Sequence, residues 1–153
     1  MPTLVLIRHS KAEPHREDDH SRELAARGRA DAGQVREWLT AQGIVPDHVV
    51  VSTAVRTRQT WQACSVGSAE PVFDDRVYDA SVAELREVIA QTPAAAQTLV
   101  LVGHNPGVEQ LAWALDDSDA ARDRTNSGMR TSGVAVFRVA AWDLRSAELT
   151  GFR

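Results

Sequence analysis

Cysteine is nearly absent from this chain, and so are several other marks of a specialised protein. One cysteine, Cys64, closes no internal disulfide, and with no CxxC or CxxH pair no structural zinc site is expected. No apolar run approaches the ~20 residues of a membrane-spanning helix. The opening MPTLVLIRHSK has no basic region before its short apolar stretch. It reads as neither a signal peptide nor a span, so a cytoplasmic protein without membrane contact is expected. Positive charge is not in excess either: 17 Lys and Arg face 21 Asp and Glu, for a formal net charge of -4. That argues against a nucleic-acid partner held by phosphate contacts, yet allows a local basic pocket. Repeats, low-complexity tracts and long linkers are lacking. The 153 residues are therefore read as a single domain, 1–153, with one core, acting as a monomer.

What is present is alternation. Residues 3–8 (TLVLIR) form a continuous apolar run, as in a strand buried on both faces. A polar loop follows over 9–21, then a helical pattern from Ser21 to Gln42 with Ala32, Val35, Trp38, Leu39 and Gln42 on one face. Further strands are predicted at 48–52, 71–73, 98–103, 133–139 and 147–152. Helices are predicted over 54–65, from a capping box at Ser81–Glu84, and after Asn105-Pro106, where Asn105 is expected as N-cap and Pro106 as the first helical residue. Residues 116–130 read as a polar surface excursion. Strands alternating with helices predict a three-layer α/β/α sandwich, its sheet mostly parallel with an antiparallel edge.

The polar residues sit at the strand ends. The first strand ends in Arg8-His9, the second in Ser52-Thr53 with Arg56 in the following turn, and the strand at 98–103 runs into His104. Ligands of open α/β sheets bind outside the carboxyl ends of the strands, so Arg8, His9, Arg56 and His104 are expected to converge. Arg56 and Arg58 occupy the first turn of a helix, where the partial positive charge disfavours cations; two of them there suggest an anion. The helix after Asn105 adds backbone N–H groups. Two guanidinium forks and two imidazoles with no carboxylate cluster beside them describe a phosphoryl site that needs no metal or other cofactor. In it Arg8 and Arg56 grip the oxygens as bidentate donors, His104 donates to another oxygen, and His9 attacks phosphorus and carries the phosphoryl group to water.

At these residues a family resemblance appears. RHS at 8–10, STAVRTRQT at 52–60 and LVLVGHNPGVEQL at 99–111 resemble, in order and spacing, the three motifs of the histidine phosphatase superfamily. The short length and the HNP triplet are similar to its SixA-type phosphohistidine phosphatase branch, and the resemblance spans nearly the whole chain. It implies the phosphoglycerate mutase-like fold, a phosphatase, and a covalent phosphohistidine on His9. It also implies a pocket of Arg8, Arg56 and His104, with Asp19 and Arg22 as further substrate-binding residues at its entrance. Two departures stand out. Ser10 replaces a glycine, which is tolerable only if φ there is negative, and Thr53 replaces a proline. The glutamate that mutase-like branches use as an acid has no match in 74–85, where Asp79 is the nearest carboxylate. An imidazole leaves more easily than an alkoxide, so the implied substrate is phosphohistidine on a protein. Small phosphate monoesters, or phospho-ligand binding without turnover, are the alternatives.

Other features have plainer readings. HREDDH at 15–20 reads as a solvated loop rather than a metal site. The four tryptophans read as packing residues, and Cys64 as a small buried hydrophobe.

Overall fold

The computed structural model describes residues 1–14, 18–116 and 128–153. Most of the expected excursion at 116–130, and residues 15–17 of the segment HREDDH, therefore lie outside the described residues. Six strands form one sheet: β1 (Thr3–Arg8), β2 (His48–Ser52), β3 (Pro71–Asp74), β4 (Thr98–Gly103), β5 (Val134–Val139) and β6 (Ala147–Phe152). Their order is β3-β2-β4-β1-β5-β6. The first four are parallel, and β5 and β6 add an antiparallel half.

Each run of apolar residues is explained by what covers it. Residues 4–7 of β1 are fully buried on both faces. On one face Val5 and Ile7 join Val35 and Leu39 of α1 (Ala26–Ala41) and Trp61 and Cys64 of α2 (Val55–Cys64). On the other, Leu4 and Leu6 join Leu85 and Ile89 of α3 (Val82–Ala90), Leu111 of α4 (Gly107–Leu115), and Phe137. Alternate strand residues thus feed two cores. Each fully buried Val, Leu or Phe contributes about 1.5–3 kcal/mol of transfer free energy. The α3 cap forms as expected, with the Ser81 hydroxyl accepting from the Glu84 amide and the Glu84 carboxylate accepting from the Ser81 amide.

Four expectations need correction. The first helix starts at Ala26, not Ser21, because residues 23–25 run back along the preceding loop. The Glu13 amide donates to Glu23, the Ala25 amide donates to Lys11, and Ala12 bridges Leu24. Gln42 is exposed beyond that helix. Trp113 is 43% exposed and leaves the packing role to Trp38, Trp61 and Trp142. Asn105 does not cap α4: Pro106 holds the N-cap position, and the Asn105 amide instead donates to Glu109 (2.9 Å) and to the Met129 carbonyl (2.8 Å).

Candidate active site

Register brings the two histidines together. Arg8 pairs with Gly103 across β1 and β4, so the next residues, His9 and His104, leave the sheet side by side. Their ring centroids are 5.3 Å apart. The backbone of His9 is held from both sides: its amide donates to Gly103 (3.0 Å), and its carbonyl accepts from Ser132 (3.1 Å). Its Nδ1 lies 2.8 Å from the Ser10 carbonyl oxygen. A carbonyl only accepts, so Nδ1 carries the proton and Nε2 keeps a free lone pair. The ring is 9% exposed. Its pKa is lowered to about 4, by burial first and then by the charges of Arg56, Arg8 and Arg22, against the opposing bond to Ser10. His9 is therefore neutral at physiological pH, in a tautomer fit for nucleophilic attack.

His104 is set differently. Its Nε2 lies 2.8 Å from the hydroxyl of Ser52, at the end of β2. That hydroxyl also accepts from the Ala54 amide and still has its proton and a second lone pair to offer Nε2. The ring Nδ1 is buried with no hydrogen-bond partner. A buried polar atom left without a partner costs about 1–3 kcal/mol, and with the ring proton on Nδ1 an incoming anionic oxygen relieves that cost. Burial, then the Arg56 charge, lowers the His104 pKa to about 3.

The two arginines are anchored by oxygens and keep other N–H groups unpaired. Arg56 donates to the Asp19 carbonyl (2.7 Å) and the Asp19 Oδ2 (3.0 Å), with its Nε buried and unpartnered. Arg8 donates to the Met129 carbonyl (3.0 Å), and its Nε is likewise free. Burial lowers the pKa of Arg8, and nearby Glu109 opposes this. Asp19 holds the entrance together: Arg22 bonds its Oδ1 at 3.1 Å and the Tyr78 hydroxyl its Oδ2 at 2.6 Å. These bonds, that of Tyr78 foremost, hold the Asp19 carboxyl far below the usual carboxylate range.

Of the six residues expected at the site, Asp19, Arg22 and Arg56 are joined by hydrogen bonds, His9 and His104 meet ring to ring, and Arg8 turns its guanidinium to the Met129 carbonyl. Asp19, expected at the entrance, sits on Arg56 and fixes its fork. Arg58 does not join. It stacks over the Phe73 ring at 4.2 Å and donates to the Thr53 carbonyl.

Both departures from the family pattern are accommodated. Ser10 is not among the positive-φ residues. Its amide donates to the Thr60 hydroxyl, and its own hydroxyl meets that of Ser132 at 2.6 Å. Thr53 donates to Asp75 and pairs with His20. Ser132, Ser52 and Tyr78 are the residues that sequence reasoning missed. Ser132 adopts φ 62, and its neighbour Gly133 in TSG was the available signal. The lone tyrosine was the signal for Tyr78, whose ring meets His20 and His104 edge-on. Cys64 is fully buried with its thiol pushed up to about 12, so it is no nucleophile. Among the described residues no cluster of three or more His, Cys, Asp or Glu is placed to hold a metal, and no helix is long and apolar enough to cross a membrane.

Beside Arg56 and His104 opens a cavity of about 320 Å³, lined also by Asp19, Tyr78, Asp79 and Asn105. A three-layer sandwich that gathers two histidines and two arginines at its parallel strand ends defines a phosphoryl-handling enzyme of the phosphoglycerate mutase-like fold. Comparison with known proteins makes this specific. The chain belongs to the histidine phosphatase superfamily (branch 1), whose family model matches residues 4–98, and it is a phosphatase. An uncharacterised protein of Mycobacterium tuberculosis is 38% identical over 139 residues, 88% of this chain and 87% of that protein. Two solved structures are 32% identical and cover 99% of this chain. One is described as a phosphohistidine phosphatase SixA of Nakamurella multipartitia (TM-score 0.88, 95% of that chain). The other is described as a SixA of Agrobacterium tumefaciens (TM-score 0.84, 97% of that chain).

Proposed function

We propose that this phosphatase removes the phosphoryl group from phosphohistidine on a protein, through a covalent phosphohistidine on His9. The observation that carries the reading is the tautomer of His9: Nδ1 is engaged by the Ser10 carbonyl, and a neutral ring keeps Nε2 free within the field of Arg56 and Arg8. In this reading Arg8, Arg56 and the His104 Nδ1–H bind the phosphoryl oxygens and neutralise charge in the transition state. Asp19 and Arg22 hold the fork of Arg56 toward the substrate. His9 Nε2 attacks phosphorus in line, the leaving group departs, and water releases phosphate. No cofactor is required. The protein itself acts as a cytoplasmic monomer.

The test follows phosphate release from a phosphohistidine-bearing protein and from a phosphoserine peptide, in EDTA, with the native chain and His9→Ala. Clearance of phosphohistidine by the native chain alone supports the reading. Faster release from phosphoserine or small esters makes it a general phosphatase, and binding of both without turnover makes it a recognition module.

A further inference from the structure

We infer that Asp79 is a specificity residue: its carboxylate grips the distal ring N–H of a substrate imidazole and so selects P–N over P–O substrates. The inference rests on the phosphohistidine reading above and extends it to the leaving group.

In-line attack places the leaving group across phosphorus from His9. Arg56 and His104 border the cavity, and His9 does not. In the phosphohistidine reading the phosphoryl group lies against Arg56 and His104 at the border of this cavity, and we assign the cavity to the leaving group. Its volume of about 320 Å³ takes an imidazole with its side-chain stem. Its lining also holds acceptors. Asp79 is exposed at the cavity, and no hydrogen bond or ion pair ties its carboxylate to another described residue. Asn105 turns its Nδ2 to two acceptors, Glu109 and the Met129 carbonyl, and its Oδ1 is buried and unpartnered. Phosphate oxygens accept hydrogen bonds and offer this lining nothing. A leaving group carrying an N–H does.

The backbone holds Asp79 in place. Its φ is 54, a left-handed conformation that Asp adopts more readily than most residues. Gly107 lets the first turn of α4 pack directly on the Ala80 carbonyl, a contact that any Cβ at 107 would obstruct. Substitution there would push the 79–80 loop off the cavity.

The chemistry then closes on itself. The His9 Nε2 lone pair forms the new N–P bond as the substrate P–N bond breaks, and the bonding pair returns to the departing ring nitrogen. With a proton already on its distal nitrogen, that ring leaves as neutral imidazole, and no acid is needed at the scissile atom. Asp79 holds that distal N–H as the Ser10 carbonyl holds the Nδ1–H of His9. Donor and acceptor rings are then chemical equals. Water next adds its oxygen to phosphorus, its protons leave with the phosphate, and His9 is restored. A serine ester has no distal N–H for Asp79 to hold.

The experiment compares kcat/KM for phosphoimidazole and for an aryl phosphate in the native chain, Asp79→Asn and Asp79→Gly. Both replacements accept a positive φ. The ratio of phosphoimidazole to aryl phosphate is expected to fall by about 10- to 100-fold in both variants, the range of one charge-assisted hydrogen bond. An unchanged ratio, including an equal loss on both substrates, overturns the assignment while leaving the phosphohistidine reading intact. A native chain that cleaves the aryl phosphate and not phosphoimidazole overturns that reading and this inference together.

Discussion

The two halves of the sheet do different work. The parallel half, β3-β2-β4-β1, ends its strands on one side, and from those ends come Arg8, His9, Ser52, Arg56, Tyr78 and His104. The antiparallel half, β5-β6, contributes bulk: Phe137 heads the fully buried side chains, and Val134, Ala135 and Val139 are fully buried beside it. Among the described residues it reaches the site through the segment before β5, where Ser132 and Met129 offer backbone and hydroxyl contacts to His9, Ser10 and Arg8. Parallel strands gather chemistry because their carboxyl ends coincide. An antiparallel pair divides its ends between two rims, so it serves here as a wall.

The comparison can be pressed hardest at His9. His9→Ala is expected to lower phosphate release at least about a thousandfold, as loss of a covalent nucleophile does, with the melting temperature nearly kept. With the His9 pKa at about 4, the acid limb of kcat/KM should fall near pH 4, not near the ordinary histidine value of about 6.5. The linkage has a definite sign. The folded pKa values of His9 and His104 lie below the unfolded value, so the unfolded chain binds protons first. Their contribution is complete above about pH 6.5 and is lost as pH falls through the folded values, which urea titrations across pH would show.

Phe137→Ala should do the reverse of His9→Ala. It is expected to cost about 3–5 kcal/mol of stability in chemical denaturation, while kcat of the molecules that remain folded stays unchanged. A marked loss of kcat there would break the division of labour. Asp19→Asn sharpens it within the parallel half. Removing the charge that holds Arg56, Arg22 and the Tyr78 hydroxyl is expected to reduce kcat/KM by roughly 10- to 100-fold, the scale of a lost charged hydrogen bond. Tyr78→Phe is the mildest change. Deleting the 2.6 Å bond to Asp19 should destabilise by about 1 kcal/mol and raise KM more than it lowers kcat.

Much was legible before any fold was in view. The apolar runs gave β1, β2 and β4, because a chain buried on both faces must be apolar without interruption. The four central site residues were readable because they follow those runs directly. The start of α1 was misread because the residues before it have helical spacing yet bond to the loop at Lys11–Glu13. Arg58 was misassigned for a similar reason: its place in the first turn was visible, but not the Phe73 ring that takes it.

By itself the sequence determined the alternation of elements, the two-sided burial of β1 and β4, and the delivery of Arg8-His9 and His104 to one rim. These depend on residue type and short spacing, which local physics reads. Only the tertiary structure decided which oxygen each site group would meet. Asp19 finds Arg56 37 positions away, Ser52 finds His104 at 52, Tyr78 finds Asp19 at 59, and Ser10 finds Ser132 at 122. Hydrogen bonds are short and directional, so partners this remote in the chain are fixed by strand register and helix docking, which no local period in the sequence encodes.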